Sequence, residues 1–220
     1  MCFSAEASFT AGALLSLAGL VSMRLSRTRA NKFLATIPVF FAAQQILEGI
    51  LWLTIPNHAG SFWYYLGLYG FLIFAFTLWP VWVPYTMSLT EKDKNRKKIM
   101  QAICILGLII AGIFIWHALR TSFDAQIYEN HIQYLLGLPT DGIIVELLSL
   151  AYLICVVGPF LLSTKPHAWL FGLLVLIACG ISYYFYYIVL VSVWCFFAAI
   201  LSGYIVLIIL QDHLKRVRSK

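Results

Sequence analysis

The run AWLFGLLVLIACGISYYFYYIVLVSVWCFFAAILSGYIVLIIL, residues 168–210, contains no lysine, arginine, aspartate or glutamate. As a single helix rising 1.5 Å per residue it would extend roughly 64 Å, about twice the thickness of a bilayer's hydrocarbon core. Two membrane spans joined by a tight turn near Tyr187 are the economical solution. Tyr183, Tyr184, Tyr186 and Tyr187 then gather at the headgroup level, where amphipathic rings are favoured.

The rest of the 220-residue chain repeats this character: 62% of it is hydrophobic, 16% aromatic and 11% charged. A soluble fold could not hide so much apolar surface. Reading apolar runs against polar punctuation predicts seven spans, at 5–23, 33–55, 62–86, 99–119, 142–163, 168–187 and 190–210. They form one all-α domain, a seven-transmembrane-helix bundle over residues 1–220, and leave no room for a soluble domain. Pro80 and Pro84 are expected to kink or end the third span near one membrane face. The longest connection runs from Arg120 to Asp141, and its stretch 124–133 is expected to form a short interfacial helix. The first span is expected to remain as a helix, because its basic cluster follows the apolar run, unlike the order in a signal peptide.

Lysine and arginine mark the cytoplasmic side of a membrane protein. With the N-terminus outside and the C-terminus in the cytoplasm, 14 of the 15 basic residues fall on the cytoplasmic side, and Arg120 alone falls outside. A six-span or eight-span count would put the basic tail on the wrong side. Orientation in the bilayer also accounts for the net charge of +6 without a nucleic-acid partner. Four of the five cysteines, Cys104, Cys155, Cys179 and Cys195, fall in spans and read as small core residues, and no CxxC spacing occurs.

Polar groups inside spans are costly and mark the places to seek function. Gln44, Gln45 and Glu48 share one side of the second span, and Trp52 extends that face outward by a turn. Glu146 enters the fifth span at comparable depth, so the two carboxylates are expected to share a proton or a cation if their helices adjoin. Cys2 and Glu6 lie at the outer rim of the first span. Ser4, Ser8, Gly12 and Ser16 form a small-residue stripe suited to close helix packing. His58, His117 and His131 fall on the same outer side. With Cys2 they make a candidate set of ligands for a divalent metal such as zinc or copper, although no HxxxH or HExxH spacing puts two of them on one helical face.

The opening Met1-Cys-Phe-Ser-Ala-Glu-Ala-Ser-Phe9, followed by Gln44-Gln-Ile-Leu-Glu-Gly-Ile-Leu-Trp52, resembles a group of small uncharacterised bacterial membrane proteins that begin Met-Cys-Phe-Ser-Ala. That resemblance implies a bacterial source, and hence the bacterial inner membrane, but supplies no catalytic residue. The size and orientation are also those of microbial rhodopsins. The seventh span, however, lacks the lysine needed for a retinal Schiff base, so no retinal is expected.

Two functional readings follow. In the preferred one an outward-facing polar pocket, lined by Gln44, Gln45, Glu48, Trp52 and Glu146 with Cys2 and Glu6 at its mouth, binds a small molecule, ion or lipid headgroup in transport or sensing. In the alternative the chain is a membrane-embedded, metal-dependent hydrolase with its site at the outer face. Either is compatible with a homo-oligomer in the lipid bilayer.

Overall fold

The computed structural model of the protein describes residues 4–137 and 142–218. Among these residues, seven helices are long and apolar enough to cross a membrane. They are α1 (Ala5–Leu25), α2 (Arg29–His58), α3 (Phe62–Ile73) running on into α4 (Trp79–Thr90), α5 (Lys94–Ala118), α6 (Ile143–Leu162), α7 (Ala168–Phe185), and α8 (Leu190–Ser202) followed by α9 (Tyr204–Arg218). Each predicted span coincides with one of these seven, with ends differing by a few residues. Short side chains start several of them: Ser4, Thr28, Ser61 and Asp93 each accept a hydrogen bond from a backbone N–H in the first turn of α1, α2, α3 and α5. The turn between α7 and α8 falls at Tyr186 and a short 3-10 segment, Tyr187–Val189.

The third span does not break at its prolines. A single π turn, Phe74–Leu78, joins α3 to α4, and the Trp79 N–H donates to the Phe74 carbonyl, five residues back. In that register the Ala75 carbonyl would await the N–H of residue 80, which proline lacks. The Tyr152 hydroxyl donates to it instead, at 2.6 Å. The expected irregularity of this span is therefore a π turn just ahead of Pro80, after which the helix continues, and the Trp79 indole reaches Gln44 of α2.

The α2 helix is the most enclosed of the seven. The helix α1 packs closely along it: Ser8, Gly12 and Gly19 are on its buried face, and a Cβ on Gly12 would lie 2.9 Å from Ile46. Leu34, Ile37 and Phe41 of α2 enter the main core with Trp79, Met87, Phe160 and Phe171. Outward-pointing apolar side chains such as Leu14 and Leu17 on α1 and Ile105, Leu108 and Ile109 on α5 remain exposed, as lipid-facing positions should.

The connection after α5 corrects the expected interfacial helix. It is a β-hairpin, with β1 (Asp124–Tyr128) antiparallel to β2 (His131–Leu135). Its two-residue turn places Glu129 and Asn130 at φ of 43° and 62°, the left-handed conformation that suits the twist of a hairpin and that asparagine tolerates. Alternation decides the pairing. Ala125 and Ile127 share one face with Ile132 and Tyr134, whereas Gln126 and Gln133 hydrogen-bond at 2.7 Å on the other.

At the opposite end, three loops and the last helix are tied together. Asp212 of α9 pairs with Lys165, and Asn31 bonds to both. Glu91 accepts from the N–H groups of Lys92, Asp93 and Thr164 and from the Thr164 hydroxyl. Arg96 donates to the Leu162 carbonyl at 2.8 Å. The basic residues around Arg27, Lys94 and Lys165 therefore sit at one end of the bundle, and the hairpin sits at the other.

Candidate functional site

Because α2 runs through the middle of the bundle, its polar residues have nowhere to go but inside. Gln44 and Gln45 are fully buried, and Glu48 is 1% exposed. Their partners come from other elements. The Ser192 hydroxyl of α8 donates to Glu48 Oε1 at 2.6 Å, and Gln45 Nε2 donates to Oε2 at 3.2 Å. The Trp79 indole, aimed by the π turn, donates to Gln44 Oε1 at 2.8 Å. No lysine or arginine pairs with Glu48 among the described residues. A carboxyl in such a place needs a proton or a cation to be tolerated.

Several buried polar atoms around Glu48 are left without a hydrogen bond: Gln44 Nε2, Gln45 Oε1 and the Trp52 indole N–H. The two amides are oriented by their bonded partners. An indole can only donate, so Gln44 Oε1 faces Trp79 and its NH₂ points elsewhere, with the weakly accepting Cys195 thiol as its neighbour. Tyr134 comes from β2. Its ring stacks on Phe71 at 4.7 Å, and its hydroxyl lies in the field of Glu48. Burial, with the Glu48 charge adding to it, pushes that phenol well above the ordinary tyrosine range, so it remains a neutral donor.

The hairpin that delivers Tyr134 is fastened down. The Tyr64 hydroxyl bonds to Asp124 and accepts from the Ala125 N–H at 2.9 Å. His117 Nε2 contacts the Leu136 carbonyl at 2.7 Å, and the His131 ring packs on Tyr186 at 5.1 Å. Two turns of α2 below Glu48, at the level of Phe41, lies an apolar cavity of about 40 Å³ whose lining includes Phe41, Trp79, Tyr152, Trp194 and Cys195. Trp79 and Cys195 belong to both, so the polar cluster and the cavity are neighbours.

Of the residues singled out from the sequence, Gln44, Gln45, Glu48 and Trp52 are together. Glu146 is not with them. It is exposed on the first turn of α6, and Glu48 takes its hydrogen bonds from α2 and α8 instead. Glu6 is likewise exposed on the first turn of α1. Cys2 and the side chain of His58 lie outside the described residues. His117 and His131 serve the hairpin, with His131 Nδ1 at 2.7 Å from the Glu129 carbonyl. Among the described residues no three His, Cys, Asp or Glu side chains come together as a metal site.

Sequence reasoning missed Ser192, Tyr134, Trp79 and Cys195. A serine within an uncharged 43-residue run was a usable signal for Ser192. Tyr134 follows the stretch 124–133 that is expected to be helical, and nothing in the sequence puts it beside Glu48.

No curated protein and no solved structure matches the chain. A family model described as a family of unknown function, DUF6629, matches residues 1–219, and the chain belongs to that family.

Proposed function

We propose that this protein is a carrier or sensor whose small ligand, an ion or polar molecule, binds in the pocket around Glu48, with Gln44, Gln45, Trp52, Tyr134 and Ser192 as its lining. The observation that carries this reading is the buried Glu48, with no lysine or arginine partner among the described residues and with unsatisfied polar atoms on Gln44, Gln45 and Trp52 beside it. Buried polar groups are normally satisfied within the protein, and clusters that are not are typical of places where water or a ligand completes the set. The π turn that aims Trp79 at Gln44 is the kind of local irregularity that functional sites use.

The orientation belongs to the same proposal. The loops carrying 14 of 15 basic residues face the cytoplasm, and the hairpin faces outward. Glu48 then lies beneath the hairpin, in the outer part of a bundle set in a bacterial inner membrane. The Lys165–Asp212 network then lies at the cytoplasmic end.

The test is a thermal-stability screen of purified protein against small amines, amino acids, inorganic ions and lipid headgroups, run in parallel on Glu48→Gln. A ligand at a hundred times its Kd adds about 2.7 kcal/mol to the unfolding free energy. The proposal expects at least one compound that stabilises the wild type and leaves Glu48→Gln unmoved. Equal stabilisation of both by every active compound would overturn it.

A further inference from the structure

We propose that the ligand is a small alkylammonium ion, its nitrogen facing Glu48 and its alkyl groups in the adjoining aromatic cavity; this rests on the Glu48 pocket being a binding site. Three features select that chemistry. The first is charge: Glu48 is 1% exposed and has no lysine or arginine partner among the described residues, so the counter-charge for its ionised form has to arrive with the ligand. The second is the adjoining wall. Phe41, Trp79, Tyr152 and Trp194 line the cavity, and aromatic faces attract alkylated ammonium groups, most strongly when water is excluded. The third is size. A cavity of about 40 Å³ admits roughly three water-sized groups, enough for the carbons of a methylated or ethylated amine and too few for a lipid headgroup.

The distances along the helices agree. Cys195, which lines the cavity, is one turn of α8, about 5 Å, from Ser192, whose hydroxyl donates to Glu48. A metal ion is a poorer match. Hard cations such as calcium take six or more oxygen ligands, whereas the unsatisfied atoms here include the N–H groups of Gln44 and Trp52, which cannot coordinate a cation. Those N–H groups suit a hydroxyl on the ligand or a water bound with it, and Gln45 Oε1 is free to accept from the ammonium.

The experiment uses full-length protein in lipid vesicles and a small membrane-permeant carbodiimide, diisopropylcarbodiimide, which captures a protonated carboxyl as an N-acylurea. Labelling at Glu48 is read by peptide mass spectrometry, with and without trimethylammonium chloride, whose tertiary amine cannot form an amide with the activated carboxyl, and with potassium chloride at equal concentration. The expected result is labelling of Glu48 that trimethylammonium at ten times its Kd slows about tenfold and potassium leaves unchanged. Trp194→Leu should raise the half-protecting concentration about tenfold by removing one aromatic face while sparing the polar cluster. Labelling that trimethylammonium does not slow, or that potassium slows equally, would overturn the alkylammonium assignment and leave the pocket standing. Absence of any labelling at Glu48 would overturn both.

Discussion

Gly107 of α5 faces the carbonyl of Pro80, which Pro84 cannot hydrogen-bond because it has no N–H. A Cβ added at Gly107 would lie 1.9 Å from Pro80 O and 2.6 Å from Pro80 C, where ordinary contact begins near 3.4 Å. Gly107→Ala therefore has to push α5 away from α4 by about 1.5 Å. The obstructing atom is backbone, and α4 is held by the Trp79–Gln44 and Tyr152–Ala75 hydrogen bonds, so it cannot rotate aside as a side chain would. Overpacking of this kind costs about 1–3 kcal/mol, and the backbone contact places Gly107→Ala at the upper end. Gly112, also on α5, is the control, because a Cβ there meets nothing within 4 Å. The helix-propensity gain of alanine over glycine is common to both variants and cancels in their difference. Reversible unfolding in mixed micelles should show Gly107→Ala less stable than Gly112→Ala by about 2–3 kcal/mol. Equal stability within about 0.5 kcal/mol would refute the close α4–α5 approach and, with it, the π-turn geometry that aims Trp79.

Other expectations follow from individual contacts. Ser192→Ala removes the hydroxyl that donates to Glu48 at 2.6 Å and should cost about 1–3 kcal/mol in the same unfolding assay, since the buried carboxyl loses that hydrogen bond. For Glu91, burial alone would raise its pKa, but hydrogen bonds from Thr164, Asp93 and Lys92 outweigh burial and lower it from 4.5 to about 2. Its contribution is thus fully present above pH 4.5 and lost as pH falls toward 2, and Glu91→Gln should flatten the pH dependence of stability in that window. Lys165→Met strands Asp212 without its counter-charge and should destabilise more than the Lys165→Met, Asp212→Leu double variant, a comparison that a double-mutant cycle measures. Asn130→Val should loosen the hairpin by about 1–2 kcal/mol, because a β-branched residue resists a φ of 62°, whereas Asn130→Gly should be neutral. Protease sensitivity of the 120–137 segment reads that difference.

Hydropathy exposed the spans because a lipid-facing helix must be apolar along its whole length, so even boundaries such as Phe62 and Ala168 were visible. The polar face Gln44, Gln45, Glu48 and Trp52 was legible for the same reason, since polar residues stand out against an apolar background. Three features escaped. The hairpin was hidden because the apolar alternation of Ala125, Ile127, Ile132 and Tyr134 spans only ten residues and is interrupted by its own turn. The π turn was hidden because proline announces a lost hydrogen bond, and nothing local says that Tyr152, 77 residues away, replaces it. The pairing of Glu48 with Ser192 in place of Glu146 depends on which helices adjoin, and depth along a helix carries no information about neighbours.

The central claim is that the interior around Glu48 is a pocket reachable from the outer side. Ser192 touches Glu48, so a Ser192→Cys variant in a background with the native cysteines replaced reports on it directly. Intact cells and inverted vesicles are treated with 2-aminoethyl methanethiosulfonate, a small thiol reagent that carries an ammonium group. The Ser192→Cys thiol should be modified in intact cells, more slowly from the cytoplasmic face, and more slowly again in the Glu48→Gln background, where the ionisable partner for the ammonium is gone. No modification from outside, or faster modification from the cytoplasmic face, would contradict it.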